Sequence, residues 1–370
     1  MRSKKLSLGL NVVLAIFAAT VLVTGTSAAA QTEKVLYNFN APVTPFNGPA
    51  AGLVSDAAGN LYGTTQSAGI YRGGTVFELM PKAGGGWTEK TLHNFGNGAD
   101  GAYVSASLIL DAAGNLYGTT YDGGGTVGGY GTVFELKPKA GGGWSEKVLC
   151  SFDKYEGHPT AGLIVDAAGN IYGTTAGYIA YGIVFELTPH ADGTWTETTL
   201  HAFNYDGTDG IGPRGPLIFD GHGNLFGTTY AGGSFDCGAG CGTVFELSPS
   251  AGGVWTETIL HRFHNNGSDG VFPAAGLILD ASGNLYGTTT KGGTGVCTNQ
   301  SYAGCGIVFE LSPTSGGWTG KILYDFNGTD GYQPTGLTMD AAGHLYGTTA
   351  QGGTGSCTSI GLVGCGTLSS

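Results

Sequence analysis

Short apolar runs separated by glycine-rich turns recur along the chain. In one stretch, runs at 162–166 and 171–175 flank the turn 167–170, and further runs follow at 182–187 and 195–203. They are rich in Val, Ile, Thr and aromatic residues and are bounded by Gly, Pro, Asn or Asp, which is typical of β-strands. Beyond the first thirty residues, no segment holds the apolar period of a helix. The pattern therefore predicts four antiparallel strands per stretch.

This unit of about 55 to 60 residues occurs six times. The phrase Asp-x-x-Gly-Asn-Leu-Tyr-Gly-Thr-Thr begins, with small changes, at Asp56, Asp111, Asp166, Asp220, Asp280 and Asp340. A second phrase, Gly-Thr-Val-Phe-Glu-Leu, begins at Gly74, Gly131, Gly182, Gly242 and Gly306, and a third begins at Trp87, Trp144, Trp195, Trp255 and Trp318. Four strands repeated radially describe a propeller blade. We predict an all-β fold, a six-bladed β-propeller of four-stranded antiparallel blades.

The two ends of the repeat array complement each other. Residues 32–39 match residues 88–95, so the first repeat is preceded by an orphan fourth strand. The sixth repeat continues to a stub at Gly366 and has no fourth strand of its own. We expect the N-terminal strand to close the last blade, which makes residues 31–370 one domain of six repeats. An open solenoid, with both ends unpaired, is the alternative.

The N-terminal thirty residues have the composition of an export signal. Three of the first five residues are basic, residues 12–23 are apolar apart from Thr20, and residues 28–30 are three alanines. This pattern predicts a signal peptide over residues 1–30. A retained membrane anchor is the alternative, but the apolar stretch is short for a spanning helix. We expect a secreted, extracellular or cell-surface protein with no membrane span in the mature chain.

The amino-acid composition excludes several classes of protein and of partner. The chain contains 71 glycines, which excludes a helical protein, while its 41% apolar content and many aromatic residues exclude a disordered linker. The formal net charge is −12, and it becomes −15 when the three basic residues of the predicted signal peptide are removed. Such a chain repels phosphate backbones, so we expect no nucleic-acid partner.

The paired phrases resemble a known repeat family. Gly-Asn-Leu-Tyr-Gly-Thr-Thr with Gly-Thr-Val-Phe-Glu-Leu is similar to the GloVer-type tandem repeat of exported bacterial proteins with varied C-terminal surface anchors, over residues 32–368. The Asp-x-x-Gly-Asn hairpin is also loosely similar to NHL propeller repeats. The resemblance implies export and a propeller-like architecture, and it brings no established activity. The chain ends at residues 365–370 without an anchor pattern, which leaves free secretion and truncation both open.

Variable loops give the first candidate site. Antiparallel order places the loops after each second strand and the links after each fourth strand on one face, where sequence and length vary. Six cysteines lie in these loops, and in an exported chain they predict three local disulfides worth about 2 to 2.5 kcal/mol each. The pairs are Cys237/Cys241, Cys297/Cys305 and Cys357/Cys365. Metal ligation is the alternative. Cys150, in a fourth strand, is expected to be a buried or half-buried free thiol.

The links between repeats carry acidic residues that are candidates for a calcium site. Carboxylate and amide oxygens at this spacing could hold calcium, although we favour an Asx-type turn because each link offers only one or two carboxylates. The candidate ligand-face residues are Asp100, Asp209, Asp269 and Asp330. We otherwise expect no cofactor.

Three recurring residue types have structural explanations that we favour over chemical ones. The tryptophans are expected to fill space between blades rather than to bind sugars, and the Glu of Val-Phe-Glu-Leu is expected to pair across the sheet. His93, His201 and His261 fall on the outermost strands, away from an axial site.

Evidence for catalysis is weak. The entrances of the six innermost strands read Ala-Gly, Ala-Ser, Gly-Pro or Thr-Gly, and none of these offers a metal ligand or a general acid. We therefore expect a monomeric binding or surface-interaction module rather than an enzyme, with a glycan or a protein as its ligand. The alternative is a calcium-dependent propeller hydrolase or lyase that acts on a polysaccharide or lactone.

Overall fold

The computed structural model describes residues 36–39, 48–49, 51–104, 106–125, 129–177, 180–297, 304–353 and 367–369. Contacts divide the chain into two units, Met1–Asn38 and Phe39–Ser370. In the first unit, the described residues 36–38 form neither helix nor strand, and the predicted signal peptide lies outside the described residues. The account below concerns the second unit.

Every regular element of the described residues is a β-strand. The first three repeats form β1 (Val54–Ser55), β2 (Leu61–Thr65), β3 (Thr75–Pro81), β4 (Trp87–Asn94), β5 (Ile109–Leu110), β6 (Leu116–Thr120), β7 (Thr132–Pro138), β8 (Trp144–Ser151), β9 (Ile164–Val165), β10 (Ile171–Thr175), β11 (Ile183–Pro189) and β12 (Trp195–Ala202). The last three form β13 (Gly210–Pro213), β14 (Ile218–Phe219), β15 (Leu225–Gly232), β16 (Thr243–Pro249), β17 (Trp255–Arg262), β18 (Gly270–Val271), β19 (Ile278–Leu279), β20 (Leu285–Thr289), β21 (Lys291–Gly292), β22 (Ile307–Thr314), β23 (Gly317–Asp325), β24 (Tyr332–Met339), β25 (Leu345–Gln351) and β26 (Leu368–Ser369).

Each repeat forms its own antiparallel sheet. The order is β1-β2-β3-β4 in the first repeat, and the second, third and fifth repeats have the same four-stranded arrangement. In the fourth repeat β13 adds a fifth strand, while β18 and β21 pair separately beside the fifth repeat. The sixth sheet has the order β24-β25-β26. The predicted all-β fold of four-stranded antiparallel units is therefore confirmed.

The Asp-x-x-Gly-Asn turn is held by a single carboxylate. Asp111 Oδ1 accepts hydrogen bonds from the backbone N–H groups of Ala113 and Asn115, both at 2.8 Å. Its Oδ2 accepts a bond from Asn115 Nδ2 at 2.7 Å and lies 3.1 Å from the Tyr117 hydroxyl. That hydroxyl is also 3.2 Å from Glu135 Oε1, so this recurring glutamate has a structural role. Tyr117 is its register partner on β6, Lys137 Nζ lies 3.2 Å from the same Oε1, and Lys147 is its register partner on β8.

The core lies between successive sheets. Phe95, just after β4, packs on Phe134 of β7 with ring centroids 4.6 Å apart, and the equivalent contact recurs in the later repeats. Trp144 of β8 meets Tyr62 of β2 edge-on at 6.2 Å, and three further tryptophans make the same kind of contact with the preceding sheet. Four of the five tryptophans therefore fill space between sheets, as the sequence predicts.

Closure of the repeat array stays a prediction. Residues 32–35, which begin the proposed N-terminal strand, lie outside the described residues. Phe39, at the end of that segment, packs on Phe77 of β3 at 4.9 Å, which is the contact that Phe95 makes with Phe134. Phe39 thus occupies the position of a fourth-strand phenylalanine beside the first repeat.

Candidate functional site

The loops after the second strands and the links after the fourth strands meet at one edge of the sheets, which we call the loop face. Backbone hydrogen bonds join them in successive repeats: Tyr103 donates to Gly73, His158 to Tyr130, Phe272 to Cys241 and Gln333 to Cys305, with N···O distances of 2.6 to 3.1 Å. Among the described residues, loops and links of successive repeats are therefore joined by hydrogen bonds at the face predicted to carry the variable segments.

The residues that donate these bonds share an unusual backbone conformation. Tyr103, His158, Phe272 and Gln333 have φ values of 62°, 63°, 62° and 56°, and Gly212 takes the equivalent place in the fourth repeat with 62°. Residues other than glycine rarely adopt this region of positive φ, and residues with strained backbones cluster at ligand sites. The recurring strain marks the part of the loop face around these five residues as a candidate site.

Stacked side chains accompany the strained residues. Tyr121 stacks on His158 with ring centroids 4.3 Å apart, and Tyr230 stacks on Phe272 at 5.0 Å. The guanidinium carbon of Arg214 lies 3.8 Å from the centroid of the Tyr230 ring, which is close enough for a cation–π interaction. These contacts hold the Tyr230 ring between an aromatic ring and a cation.

A cavity of about 470 Å³ opens beside Tyr230, where the loop face of repeats four, five and six converges. Its wall carries two cationic side chains, Arg214 and Lys291, and its described lining contains no carboxyl group. The remaining lining residues are small or uncharged: Tyr230, Ala274, Ala275, Thr290, Gln333, Pro334, Thr335 and Ala350. In a chain of net charge −12, this is a local concentration of positive charge.

Two disulfides brace this region. Cys237 is bonded to Cys241 and Cys297 to Cys305, while Cys357 and Cys365 lie outside the described residues. The carbonyls of Cys241 and Cys305 accept the hydrogen bonds from Phe272 and Gln333. Each disulfide therefore fixes the acceptor that holds a strained residue of the loop face.

Cys150 of β8 is a free, half-buried thiol. Burial, together with the nearby carboxyl groups of Glu197 and Glu156, raises the pKa of the thiol to about 12. A thiol with so high a pKa is a poor nucleophile at neutral pH.

The four link aspartates lie apart from the cavity, each beside the fourth strand of its own repeat. Asp209 Oδ2, for example, accepts hydrogen bonds from the backbone and side-chain nitrogens of Asn204. Each carboxylate also contacts a fourth-strand side chain at 2.8 to 3.4 Å: Asp100 with His93, Asp209 with His201, Asp269 with His261 and Asp330 with Tyr324. The carboxylates belong to different links. The Asx turns in three of these links are made by other residues, Asp206, Asn266 and Asn327, whose Oδ1 atoms accept the backbone N–H two residues later.

One of these pairs gains a third member from the next sheet. His201 Nε2 lies 3.3 Å from Asp209 Oδ2 and 3.7 Å from Glu257 Oε2 of β17. Burial is the main reason that the pKa of Glu257 is raised above its ordinary value; His201 opposes the rise and Asp209 adds to it. Sequence analysis missed this cluster because Glu257 is 48 residues beyond Asp209 and belongs to another repeat.

A larger cavity of about 690 Å³ lies at the opposite edge, between the turns of repeats five and six. Its two carboxyl groups are Asp280 and Asp340, and both accept the hydrogen bonds of their own turns. Its described lining contains no cationic side chain, so it lacks the charge that distinguishes the loop-face cavity.

Sequence reasoning found the loop face but not its charged residues. Arg214 and Lys291 occur once each, outside the repeated phrases, so periodicity does not point to them. Basic residues were the available signal, because the chain has only 15 of them and two fall in neighbouring variable segments.

Comparisons with known proteins support the architecture. A family model described as the Gloeobacter/Verrucomicrobia repeat matches residues 20–238 and 147–360. A search of curated proteins found no match. Among the described residues, no helix is long and apolar enough to cross a membrane.

Several solved structures share the fold at low identity. A putative oxidoreductase (glucose dehydrogenase) from Thermus thermophilus is 15% identical with a TM-score of 0.50, over 84% of this chain and 92% of that one. A polysaccharide lyase of family PL25, an ulvan lyase, is 12% identical with a TM-score of 0.52, over 83% and 77%. An ancestral GH74 enzyme is 11% identical with a TM-score of 0.53, over 81% and 40%. At these identities the likeness concerns the fold alone.

Proposed function

This chain belongs to the Gloeobacter/Verrucomicrobia repeat family, and we propose that it is an exported binding module whose loop face takes an acidic polysaccharide. The observation that carries this proposal is the loop-face cavity, in which Arg214 and Lys291 flank Tyr230 with no carboxyl group in the described lining. An anionic ligand gains from this charge, whereas most of the acidic surface repels it.

The aromatic ring favours a sugar over a simple anion. Half-buried Tyr230 is held by Phe272 on one side and Arg214 on the other, so it loses little conformational freedom when a ligand packs beside it. Because Phe272 and Arg214 cover its two faces, the Tyr230 ring offers a ligand its apolar edge and its hydroxyl. Guanidinium groups bind carboxylates and sulfates through paired hydrogen bonds. A uronate- or sulfate-bearing saccharide combines both kinds of contact.

The described lining of the cavity lacks the paired carboxyl groups of a glycoside hydrolase. Its titratable side chains are Lys291 and Tyr230, and the Tyr230 ring is packed against Phe272 and Arg214. A lyase needs a general acid or base at the reacting bond, and tyrosine and lysine are among the residues that supply one. The charge of the lining supports binding of an anionic ligand, and an assay of reaction products separates binding from cleavage.

Binding of polygalacturonate and of neutral dextran to the purified chain, measured by calorimetry at two salt concentrations, tests the proposal. We expect polygalacturonate to bind with an affinity that falls with salt, and dextran not to bind. Arg214→Gln should weaken binding by about tenfold, the loss of one charge-assisted hydrogen bond. Tyr230→Ala should also weaken it.

The matched control is Lys139→Gln, which removes the same charge from an exposed turn at the other edge of the sheets. Equal losses in Arg214→Gln and Lys139→Gln, or equal binding of dextran, would refute the loop-face site. Release of new reducing ends or unsaturated sugars from polygalacturonate would favour the enzyme alternative. N-terminal sequencing of chain recovered from the culture medium tests export, with Gln31 expected as the first residue.

A further inference from the structure

The outer edge between repeats three and four carries a cluster that the polysaccharide proposal does not use. His201 lies on β12, Asp209 on the following link and Glu257 on β17 of the next sheet. We propose that these three residues bind a divalent transition-metal cation of the zinc class, which joins the outer strands of two successive sheets.

Distances within the cluster suit a small cation. His201 Nε2 is 3.3 Å from Asp209 Oδ2 and 3.7 Å from Glu257 Oε2, and one ligand atom from each residue lies within 4.8 Å of the others. Around a tetrahedral zinc ion with bonds of about 2.0 to 2.2 Å, ligand atoms are separated by about 3.3 to 3.6 Å. Both distances to His201 are close to this range, and the third separation is at most 4.8 Å, so an inward movement of Glu257 completes the arrangement.

Two buried oxygen atoms in the cluster accept no hydrogen bond from any other described residue, so a proton on Glu257 shared with Asp209 is their only internal donor among the described residues. They are Asp209 Oδ1 and Glu257 Oε1. The Asp209 side chain is only 5% exposed and that of Glu257 only 15%. Burying a carboxylate oxygen without a partner is costly, and a bound cation removes that cost for both residues at once.

The ligand set selects among cations. One imidazole nitrogen and two carboxylates suit zinc and its first-row neighbours, whereas calcium takes six to eight oxygen ligands. Two carboxylates and a neutral histidine also balance the charge of a divalent ion. Arg262, on the same strand as Glu257, donates its guanidinium hydrogens to the Thr208 carbonyl at 3.1 and 3.2 Å.

The neighbouring interfaces serve as internal comparisons. At the interface of repeats one and two, His93 and Asp100 are 3.0 Å apart and Glu146 holds the position of Glu257. Within the described part of the chain, however, only the His201 group brings three such side chains together.

The interface of repeats four and five lacks the carboxyl group. Gly320 takes the position of Glu257, and a cavity of about 300 Å³ there is lined by His261, Asp269 and Gly320 among others. A Cβ placed on Gly320 would lie 3.8 Å from the His261 ring and 3.3 Å from Leu311 Cδ2, at the end of a flexible side chain. A glutamate at position 320 would therefore recreate the three-residue arrangement.

Zinc titration of the chelator-treated mature chain by calorimetry and equilibrium dialysis tests the proposal. We expect one tightly bound zinc ion, lost in both His201→Gln and Glu257→Gly; the second variant copies the glycine that repeat five tolerates at this position. Glu146→Gly is the matched control and should retain the ion. Gly320→Glu should bind a second ion. Cobalt(II) in place of zinc should give the visible spectrum of a four-coordinate site in the parent chain and not in Glu257→Gly.

An unchanged zinc stoichiometry in folded His201→Gln and Glu257→Gly, or the absence of tight zinc binding by the parent chain, would overturn the proposal. Circular dichroism establishes that each variant is folded. Because the cluster lies away from the loop-face cavity, polygalacturonate binding is measured in the same variants and is expected not to change. The two proposals can therefore fail independently.

Discussion

Gly118 of β6 lies directly beneath the ring of Phe134 on the neighbouring strand β7. The two residues are partners in the strand register, and a Cβ added to Gly118 would come within 2.6 Å of Phe134 Cζ. The same close approach recurs in the first, third, fourth and fifth repeats between the glycine of Leu-Tyr-Gly-Thr-Thr and the phenylalanine of Val-Phe-Glu-Leu. The two phrases therefore recur together because each completes the packing of the other.

This contact predicts that Gly118→Ala destabilises the fold. The added methyl group would also come within 2.8 Å of Leu108 Cδ2, so the ring and the leucine must both move. Overpacking of this kind costs about 1 to 3 kcal/mol. The measurement is urea unfolding followed by tryptophan fluorescence.

The matched control is Gly162→Ala, where the nearest atom to the added Cβ is 3.7 Å away and the backbone φ is not positive. We expect its unfolding free energy to stay within about 0.5 kcal/mol of the parent, the usual range for a substitution that disturbs no packing. Equal losses in the two variants would contradict the packing explanation.

Local and repeated features were the ones that sequence could predict. The Asp111 turn and the Gly118 packing site involve residues close in sequence or in adjacent strands, and the repeated copies make them visible. The contacts that form candidate sites are different. Tyr230 meets Arg214 and Phe272 through segments that are not repeated, and Glu257 meets His201 only because two successive sheets pack side by side.

Closure of the repeat array could likewise be predicted only in part from the sequence. The match between residues 32–39 and 88–95 predicts which strand is missing from the sixth repeat, but sequence similarity does not place that strand in space. The Phe39–Phe77 contact is the described feature that bears on this prediction.

The Asp111 turn predicts a loss of stability in acid. Burial acts to raise the pKa of Asp111, but the hydrogen bonds donated by Asn115, Tyr117 and Ala113 together hold it below the ordinary value of 3.8. A carboxyl group with a lowered pKa stabilises the folded state above its unfolded pKa, and this contribution is lost as the pH falls through the folded value.

Asp111→Ala should therefore lower the unfolding free energy at pH 7 by about 1 to 3 kcal/mol, since it leaves several donors without a charged acceptor. The difference between variant and parent should shrink as the pH falls below the unfolded pKa of about 4 and through the lower pKa of the folded state. Chemical denaturation from pH 3 to pH 7 measures both effects. A difference that does not depend on pH would contradict this assignment.

The raised pKa of Glu146 predicts that folding stability depends on pH in the opposite direction. Burial, with a further contribution from Asp100, raises its pKa to about 7, and its Oε1 is buried without a hydrogen-bond partner among the described residues. The folded state thus holds a proton that the unfolded state releases near pH 4.5. Stability should fall as the pH rises from about 4.5 to 7 and level off above that.

Glu146→Gln keeps the shape of the protonated side chain and cannot ionise. We expect the variant to match the parent near pH 4 and to be more stable than the parent at pH 8. Unfolding free energies of both proteins across that range test this, and parallel pH profiles would show that Glu146 does not titrate differently in the folded state.

The Cys150 thiol should be nearly inert in the folded chain. Its pKa is raised to about 12 by burial and by the carboxyl groups of Glu197 and Glu156, so its thiolate fraction at pH 8 is about a thousandfold or more below that of an ordinary thiol. Labelling with a thiol-reactive disulfide reagent should be slow in the native state.

Glu197→Gln should accelerate the labelling of Cys150, because one of the charges that oppose the thiolate is removed. Glu146→Gln, at the equivalent position of another repeat, should not accelerate it. In denaturant without reductant, a single thiol should react if Cys357 and Cys365 form the third predicted disulfide, and three should react if they do not. Rapid native-state labelling of Cys150 at pH 8 would contradict its buried, charge-opposed environment.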